Sequence, residues 1–413
     1  MGDSRVVFGG LIIGCVFLAI SVVAGALNGA DGWAQFFRSY LNAFYFVTTI
    51  GLGSMFFVLV QHATRAGWSV MVRRLAEIVM ANFIILIPIM FAPILIAVVT
   101  GHGDLLYDWA APGAAAHDAL LQHKSGFLNV PFWSIRAVAY LAIWSTIAAF
   151  YFRTSVAQDA SGDLELTHRM QRFAPISIVL FALTLTFAAF DWIMSLEATW
   201  FSTMFGVYNF AGACCGFFAT CLVVMFLLQR SGRLTNVITL EHYQDVGKLL
   251  FGFGIVFWAY IAFSQYMLIW YGNIPEETGW FLSRQVGGWR FVSVVLIVGH
   301  FVLPFVAIIS KHPKRRPAVI AAVGGWMLLM HYVDLYWLIQ PAAIPHEVLD
   351  GITYTALLER YADVGAPWNI LDLTCLLGVV GVAAGLTLRR MQSVSLVPEQ
   401  DPRALESVAF ENM

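Results

Sequence analysis

Charged residues are scarce in this chain of 413 residues, and their scarcity excludes an ordinary soluble fold. Only 12% of the residues are charged, about half the usual share of a soluble domain, whereas 60% are apolar. Such a chain lacks the polar side chains that would cover a water-facing surface. The net charge of −2 is uninformative, but the sequence contains no basic tract of the kind that would suggest nucleic acid as a partner.

Cysteine is also sparse, and its spacing excludes the common redox cofactors. The five cysteines lie inside apolar stretches, and none belongs to a C-x-x-C, C-x-x-C-H or ferredoxin-like pattern. We therefore expect no iron–sulfur cluster, covalently attached haem or other metal in this chain. Haem b is also disfavoured, because only His300 and His331 lie well inside apolar runs and their estimated depths differ.

What the chain has in abundance is long apolar runs. Ten runs reach the length of about 20 residues that crosses a bilayer. We place the spans at residues 6–27, 41–61, 77–100, 131–152, 174–195, 202–229, 246–270, 287–310, 317–339 and 367–388. The first run is too long for a signal peptide and is expected to be retained as a span. The predicted fold is therefore an all-α polytopic membrane protein of about ten transmembrane helices.

The distribution of basic residues predicts the orientation. With ten spans, 17 of the 23 Lys and Arg residues fall on the side that holds both chain ends. The positive-inside rule then places both termini in the cytoplasm. The tail, residues 391–413, is expected to be flexible cytoplasmic chain, and the outer segment His346–Asp363 is expected to form a short surface helix.

Two carboxylates at matching depths suggest an internal repeat. Asp191 and Asp334 each lie 18 residues beyond the cytoplasmic start of their spans, which places both in the outer third of the membrane. Their spans, the fifth and the ninth, are four apart. We therefore predict two parallel four-helix bundles, spans 2–5 and 6–9, flanked by one helix at each end of the chain. The corresponding segments are 1–40, 41–195, 202–339 and 340–390.

Ionisable residues are costly at membrane depth and are candidates for function. The outer candidates are polar groups that could relay protons or bind a quinone headgroup: Asp191, Glu197, Gln265, Tyr266, Glu276, Glu277, His300, His331 and Asp334. The inner candidates lie near the cytoplasmic face: His62, Glu77 and Asn82.

Purely structural roles compete with these functional ones. Asp191 and Gln265 could simply hold helices together by hydrogen bonds, and His331 with Asp334 could form a structural pair. His62 and Glu77 are expected to be solvated or salt-bridged, with Glu77 in a surface cluster beside Arg73 and Arg74. No pair of broken half-helices of the kind that transporters use is evident in the sequence.

Two stretches carry a family resemblance that covers most of residues 40–340. Phe190–Gly212 reads FDWIMSLEATWFSTMFGVYNFAG, and Val246–Trp280 reads VGKLLFGFGIVFWAYIAFSQYMLIWYGNIPEETGW. With the opening Arg73–Glu77, they resemble the alternative complex III family of quinol:electron-acceptor oxidoreductases. The similarity is to the smaller polysulfide-reductase-like (NrfD-like) membrane subunit, the ActF type, rather than to its larger paralogue.

The resemblance implies a bacterial inner-membrane subunit that binds no cofactor itself. Its implied partners are the paralogous NrfD-like subunit, a multihaem cytochrome c, an iron–sulfur protein, other small membrane subunits, lipid, and menaquinone or another quinol. Haem c and the iron–sulfur clusters would belong to the partners. Asp191, Glu197, Gln265, His300, His331 and Asp334 would contribute to a proton path.

Four functions are therefore open at the level of the sequence. The leading one is a cofactor-free subunit that supports quinol oxidation and possible proton translocation in a respiratory or photosynthetic complex. The second is a direct quinol-binding subunit in which His331 and Asp334 take the quinol protons. The third is a structural scaffold for the extrinsic subunits, and the fourth is a stand-alone transporter.

Overall fold

The computed structural model describes residues 4–341, 344, 348, 352–365 and 368–412, without the side chains of residues 117, 275 and 276. Within those residues, ten helices are long and apolar enough to cross a membrane. They are α1 (Arg5–Leu27), α2 (Gly29–Ala63), α3 (Val70–Leu105), α4 (Val130–Ser161), α5 (Leu164–Glu197), α6 (Phe205–Arg230), α7 (Leu240–Gly272), α8 (Trp289–Ile308), α9 (Pro317–Ile339) and α10 (Ile370–Ser393). The prediction of an all-α polytopic membrane protein with ten spans is confirmed.

Most of the helices extend beyond the predicted spans. The sequence estimate ended span 4 at residue 152 and began span 5 at residue 174, with a polar connector between them. The structure continues α4 to Ser161, where Gly162 ends it with a left-handed φ of 64°. The Asp163 carboxylate caps α5 by accepting the backbone N–H of Glu165 at 2.9 Å. An apolar pattern marks only the part of a helix that lies in lipid, so capped polar extensions escape it.

The two four-helix bundles share one packing pattern. In the first bundle, α2 packs against both α3 and α5, and α4 packs against α3 and α5. In the second, α6 packs against α7 and α9, and α8 packs against the same two helices. The bundles meet along α2 and α6, with α9 also touching α2. The deepest part of the protein is therefore the seam between α2, α6 and α9.

Gly53 allows the closest approach between the two bundles. A Cβ atom at this position would lie 2.1 Å from the backbone oxygen of Ala213 and 2.7 Å from its carbonyl carbon. These are backbone atoms of α6 and cannot rotate away. The bundles can pack at this distance only because residue 53 has no side chain.

Gly53→Ala is expected to lower the free energy of unfolding by about 1–3 kcal/mol, the usual cost of overpacking a close contact. Thermal unfolding of the purified protein in detergent measures the change. The matched control is Gly325→Ala in α9, because a Cβ there meets nothing within 4 Å. It should be neutral or stabilising, since alanine favours a helix by up to about 1 kcal/mol. Equal stability of the two variants would contradict this account of the seam.

The first and last helices pack against each other. Gly14 of α1 lies so close to α10 that a Cβ on it would be 2.5 Å from the backbone nitrogen of Val382. Both helices also contact α2. Because ten spans is an even number, the chain begins and ends on one side of the membrane, which we call the terminal side. The opposite side is called the far side.

Helices α3 and α7 hold equivalent places in the two bundles, and both are irregular within the membrane. α3 narrows to a 3₁₀ turn at Ala81–Ile84, and α7 widens to a π-helix at Leu250–Phe257. Pro88 explains the first irregularity, because its ring clashes with the carbonyl of residue 84 in a regular helix. Both irregular turns lie inside single spans, Val70–Leu105 and Leu240–Gly272, rather than between separate half-helices. Neither hydropathy nor composition reveals a π-helix.

The tail on the terminal side is ordered, so the prediction of a flexible chain is wrong. Ala404–Val408 is a helical turn. The Ser407 hydroxyl donates to the backbone oxygen of Trp68 at 2.6 Å and accepts the backbone N–H of Met71 at 3.2 Å. Asp401 forms a buried ion pair with Arg73 at 2.5 Å. Partners more than 300 residues away in the sequence hold the tail, which its local composition cannot indicate.

The far side carries the shorter helices of the connectors. Pro275–Leu282 lies between α7 and α8, and Tyr354–Arg360 lies before α10. Leu357 is buried against Val286 in a small apolar cluster. Among the described residues of the segment His346–Asp363, where a surface helix is expected, Tyr354–Arg360 is helical. His346 itself lies outside the described residues.

Candidate functional site

Asp334 of α9 is a fully buried carboxylate without a described cation at ion-pair distance. The Tyr208 hydroxyl of α6 donates a short hydrogen bond to its Oδ1 atom. The indole N–H of Trp258 in α7 donates to Oδ2 at 3.1 Å. Two neutral donors from two other helices therefore hold the carboxylate at the centre of the second bundle.

His300 of α8 stacks directly on the Trp258 ring. The ring centroids are 3.8 Å apart and the ring planes are inclined by only 5°. The His300 Nε2 atom lies 3.2 Å from the backbone oxygen of Gly254, and its Nδ1 atom has no partner among the described residues. Both Gly254 and His300 lie in π-helical turns, Leu250–Phe257 and Ile297–Val302. Such turns are frequent at functional sites.

His331 faces the seam between the bundles and does not pair with Asp334. Its Nε2 atom lies 2.8 Å from the Thr49 hydroxyl of α2, and its ring packs against Gly212 and Gly216 of α6. The structural His–Asp pair considered from the sequence is thus wrong. The i,i+3 spacing placed the residues on one face of α9, but the ring turns towards α2 and the carboxylate towards α7.

Arg284 joins the far-side connectors to this region. Its guanidinium lies 3.2 Å from the Glu197 carboxylate and stacks 3.5 Å from the Trp280 ring. It also donates to the backbone oxygens of Trp337 and Leu338, each at 3.1 Å. Burial lowers the pKa of Arg284 to about 10, and the nearby Glu197 carboxylate opposes that decrease. The side chain therefore remains a cation at neutral pH.

A small charged pocket opens beside Glu197 on the far side. Its volume is about 190 Å³, and its lining combines Arg38 of α2, Asp108 of the following connector and Glu197 with apolar side chains. Phe205 and Trp280 line the same pocket. We call Asp334 and the side chains around it, Tyr208, Trp258, His300 and His331, the Asp334 group. Phe205 is one helical turn from Tyr208 in α6, so the pocket lies between this group and the far side of the membrane.

The remaining outer candidates divide into buried and exposed residues. Gln265 is buried in α7, and its Nε2 atom has no partner among the described residues. Tyr266 lies on the outer surface of α7, with its ring against Trp270 and Phe281. Glu277 is half-buried in the far-side helix Pro275–Leu282, and the side chain of Glu276 is outside the described part. The structure does not bring Tyr266 or Glu277 to Asp334.

Asp191 occupies the equivalent place in the first bundle, but it has a cation. The Arg136 guanidinium of α4 donates to both carboxylate oxygens, at 2.8 and 2.7 Å. The Tyr140 hydroxyl donates to Oδ2 at 2.7 Å. Because the charge of Asp191 is fully paired, a structural role explains this residue. Of the two equivalent carboxylates, Asp334 is the one without a described cation beside it.

The terminal-side candidates are more buried than expected. Glu77 pairs with Arg73 at 3.1 Å and with Arg74 at 3.0 Å, so the prediction of a salt bridge is confirmed. However, the cluster is buried rather than on the surface, because the tail covers it. His62 is neither solvated nor salt-bridged, since its ring is buried against Tyr151 and its Nε2 atom is unpartnered among the described residues.

Asn82 lies in the 3₁₀ turn of α3 and ties that helix to α10. Its amide group donates to the Thr387 hydroxyl at 2.8 Å, and its oxygen accepts from the Arg390 guanidinium at 2.8 Å. These contacts satisfy both ends of the side chain. They give Asn82 a structural role at the irregular turn.

Sequence reasoning missed several residues that the structure places beside Asp191, Asp334, His331 or Glu197: Thr49, Arg136, Tyr140, Tyr208, Trp258 and Arg284. Arg136 could have been found, because it lies six residues into span 4 at a depth matching that of Asp191. The tyrosines and the tryptophan carried no such signal, since the chain contains 14 of each.

The arrangement is suited to holding and passing protons rather than to holding a metal. No group of three or more His, Cys, Asp or Glu side chains in the described ranges could bind a metal ion. The groups near Asp334 are a carboxylate, a phenol and imidazoles with unpartnered nitrogens, which are proton donors and acceptors.

The comparison with known proteins adds no relative. The chain matches no protein-family model, and no curated protein is significantly similar to it.

Proposed function

We propose that this chain is a cofactor-free integral membrane subunit of a quinol-oxidising electron-transfer complex of the alternative complex III type. In this proposal its Asp334 group handles protons while partner subunits carry out the redox chemistry. The partners are the paralogous NrfD-like subunit, a multihaem cytochrome c and an iron–sulfur protein, with quinol supplied from the membrane. The blocks at Phe190–Gly212 and Val246–Trp280 motivate the family assignment.

The observation that carries the proton-handling role is the environment of Asp334. A permanent charge at this depth is costly, and the described chain provides no cation to offset it. Tyr208 and Trp258 each donate a hydrogen bond that stabilises the charged form. A carboxyl group balanced between burial and donated hydrogen bonds can change its protonation state when its surroundings change.

The far-side pocket supports a route between this group and water. Glu197 lines the pocket and contacts Arg284, which lies near Tyr208. The proposal places the terminal side in the cytoplasm of a bacterial inner membrane, because that side carries the excess of Lys and Arg. The pocket then faces outwards, where the haem and iron–sulfur partners would lie.

The pocket favours proton handling over direct quinol binding by this chain. Its volume of about 190 Å³ is below the roughly 300–1,000 Å³ of typical small-molecule sites, and three of its side chains are charged. A quinol headgroup needs a larger and mainly apolar site. Direct binding therefore ranks below the leading proposal.

An Asp334→Asn variant tests the proposal in the purified complex. We expect quinol turnover, or the number of protons released per quinol, to fall by about tenfold or more, because the amide cannot accept and release a proton. Both quantities are measured together, with a soluble electron acceptor and a pH-sensitive dye. Unchanged turnover and stoichiometry would contradict the proton role.

Asp372→Asn is the matched control. Asp372 is a buried carboxylate at the start of α10, where it accepts hydrogen bonds from Ser39 at 2.6 Å and from Gln340 at 3.1 Å. It lies outside the Asp334 group and caps a helix. Its replacement is expected to leave the proton stoichiometry unchanged, even if the protein becomes less stable. An equal loss in both variants would indicate a general effect of removing buried carboxylates.

A stand-alone transporter is the second candidate, and the irregular turns in α3 and α7 favour it. Interrupted helices at equivalent places in two repeats often mark a transport site. The two proposals differ in their partners. Purification of the chain from native membranes together with haem-bearing subunits would exclude the transporter, and isolation without them would exclude the electron-transfer complex.

A further inference from the structure

We propose that a lipid-facing groove between α3 and α4 binds an anionic phospholipid, with the headgroup phosphate held by Arg153 and Arg169. This site is separate from the Asp334 group and does not depend on the proposed function. It lies at the terminal-side boundary of the membrane, in the first bundle.

The groove lies beside the irregular turn of α3. The 3₁₀ turn Ala81–Ile84 packs against α4, and its last residue, Ile84, forms one wall of the groove. The Ser145 hydroxyl of α4 satisfies a backbone oxygen at this turn by donating to Phe83 at 2.7 Å. The groove has a volume of about 470 Å³ and is lined by Ile84, Ser145, Thr146, Ala149, Phe150, Arg153 and Thr154.

The groove has the dimensions and polarity of a lipid site. Arg153 lies 23 residues from Val130 at the far-side end of α4, a distance of about 35 Å along the helix. This exceeds the hydrocarbon thickness of about 30 Å, so Arg153 reaches the headgroup level. Ser145 lies about 12 Å deeper. The groove therefore runs from the headgroup level into the hydrocarbon, as the upper part of an acyl chain does.

Two exposed arginines without a described carboxylate partner lie in or near the shallow end of the groove. Arg153 lines the groove and is exposed, and the Arg169 guanidinium lies 5.5 Å from the ring of Phe150, which also lines it. Neither arginine forms an ion pair with a carboxylate of the described chain. Two guanidinium groups beside an apolar groove complement a phosphate that carries acyl chains.

Three other arginines on the terminal side contrast with this pair, whereas Arg230 shares its lack of a described carboxylate partner. Arg73 and Arg74 are neutralised by Glu77, Asp159 and Asp401. Arg315 pairs likewise with a carboxylate, that of Glu241, at 2.5 Å. Charge has thus been balanced within the protein at these positions and left open at the groove. An anionic headgroup would complete the balance there, whereas a zwitterionic phosphatidylcholine headgroup would not.

The test uses the full-length chain reconstituted in vesicles of equal parts phosphatidylglycerol and phosphatidylcholine. The protein is then extracted in mild detergent, and the retained lipids are counted by native mass spectrometry. The wild type is expected to retain phosphatidylglycerol in preference to phosphatidylcholine. The Arg153→Gln/Arg169→Gln variant is expected to bind phosphatidylglycerol about tenfold more weakly, because each basic group contributes to the attraction.

Two further variants separate a defined site from general surface charge. Arg230→Gln is the matched control, because Arg230 is also exposed, lies 6.0 Å from the ring of Phe226 and is not among the residues that line this groove. It should retain phosphatidylglycerol as the wild type does. Ala149→Phe fills the groove without changing charge and should lose the lipid as the double variant does.

Three outcomes would overturn the proposal. The first is undiminished phosphatidylglycerol in the double variant. The second is an equal loss in Arg230→Gln, which would indicate non-specific attraction to a basic surface. The third is wild-type retention in Ala149→Phe, which would show that the groove is not occupied.

Discussion

Replacing Arg136 with glutamine is expected to lower the free energy of unfolding by about 3–5 kcal/mol, the cost of leaving a buried charge without its partner. Asp191 is completely buried, and Arg136 supplies two of the three side-chain donors to its carboxylate. The substitution leaves the Tyr140 hydroxyl as the remaining side-chain donor. Thermal or denaturant unfolding of the purified protein measures the loss.

The Arg136 side chain also contributes packing. Its guanidinium lies 3.7 Å from the centre of the Phe127 ring and 4.3 Å from that of Phe132. It donates to the backbone oxygen of Phe127 at 3.0 Å as well. Glutamine is too short to keep these contacts, so they add to the loss. An Arg136→Lys variant would keep the charge and lose the bidentate geometry, and an intermediate stability is expected.

A double variant separates charge pairing from packing. In Arg136→Gln/Asp191→Asn no uncompensated charge remains, so much of the stability should return, and the coupling between the two sites should be at least about 1 kcal/mol. Asp334→Asn is the matched single control, because the equivalent carboxylate lacks a cation. It is expected to change the stability by less than about 1 kcal/mol. A small effect of Arg136→Gln would mean that Asp191 is held in a different way.

Replacing Asp401 with asparagine is expected to destabilise the terminal side by about 2–3 kcal/mol, somewhat less than the usual cost of breaking a buried ion pair. Asp401 and Arg73 are both almost fully buried, and their side chains meet at 2.5 Å. Without the carboxylate, Arg73 keeps only Glu77, which is shared with Arg74. Breaking a buried pair from one side usually costs about 3–5 kcal/mol, and the shared Glu77 lowers that figure.

The control for Asp401→Asn is Glu399→Gln, two residues away. The Glu399 side chain is exposed and forms no ion pair with a described residue, although its backbone N–H donates to Asp159 at 3.0 Å. Its neutralisation should change the stability by no more than about 0.5 kcal/mol. Limited proteolysis gives a second measurement, since a released tail in the Asp401 variant would be cut before the helices. If both variants behave as the wild type does, the tail does not hold the Arg73 cluster.

The helices and their number could be predicted because the bilayer sets their length. An apolar run of about 20 residues is a local signal, and it identified all ten spans within the described chain. The same signal ended α4 too early and began α5 too late, because the last turns of α4 and the first turns of α5 lie beyond lipid and contain polar residues such as Gln158 and Glu165. Hydropathy therefore identifies the part of a helix that lies in lipid and misses its polar extensions.

The position of Asp334 could be predicted, but its partners could not. A carboxylate within an apolar run is conspicuous, and counting residues gives its depth. Tyr208 and Trp258 are about 126 and 76 residues away in the sequence, on helices whose rotation depends on packing. The i,i+3 spacing of His331 and Asp334 fixed a shared face of α9 but not which neighbour each side chain meets. Tertiary packing decides that choice.

For the tail, the prediction from local composition was wrong because it gave less ordered structure than the tail has. Proline and acidic residues between 393 and 413 are typical of flexible chain. The tail instead packs against Arg73 and Arg74, which were predicted from the sequence to form a surface cluster with Glu77. Counting charges would have helped, since two arginines and one glutamate leave one cation without a partner, and Asp401 of the tail pairs with Arg73.

The contact between α1 and α10 has a consequence for biosynthesis. Of the ten described helices, α1 leaves the ribosome first and α10 last, so their contact forms only after the intervening chain is inserted. Until then α1 has α2 as its partner, and most of its apolar side chains face outwards. The glycines at positions 14 and 381 then let α10 close against it. A chain truncated before α10 would therefore keep the contact between α1 and α2 but lack the one with α10.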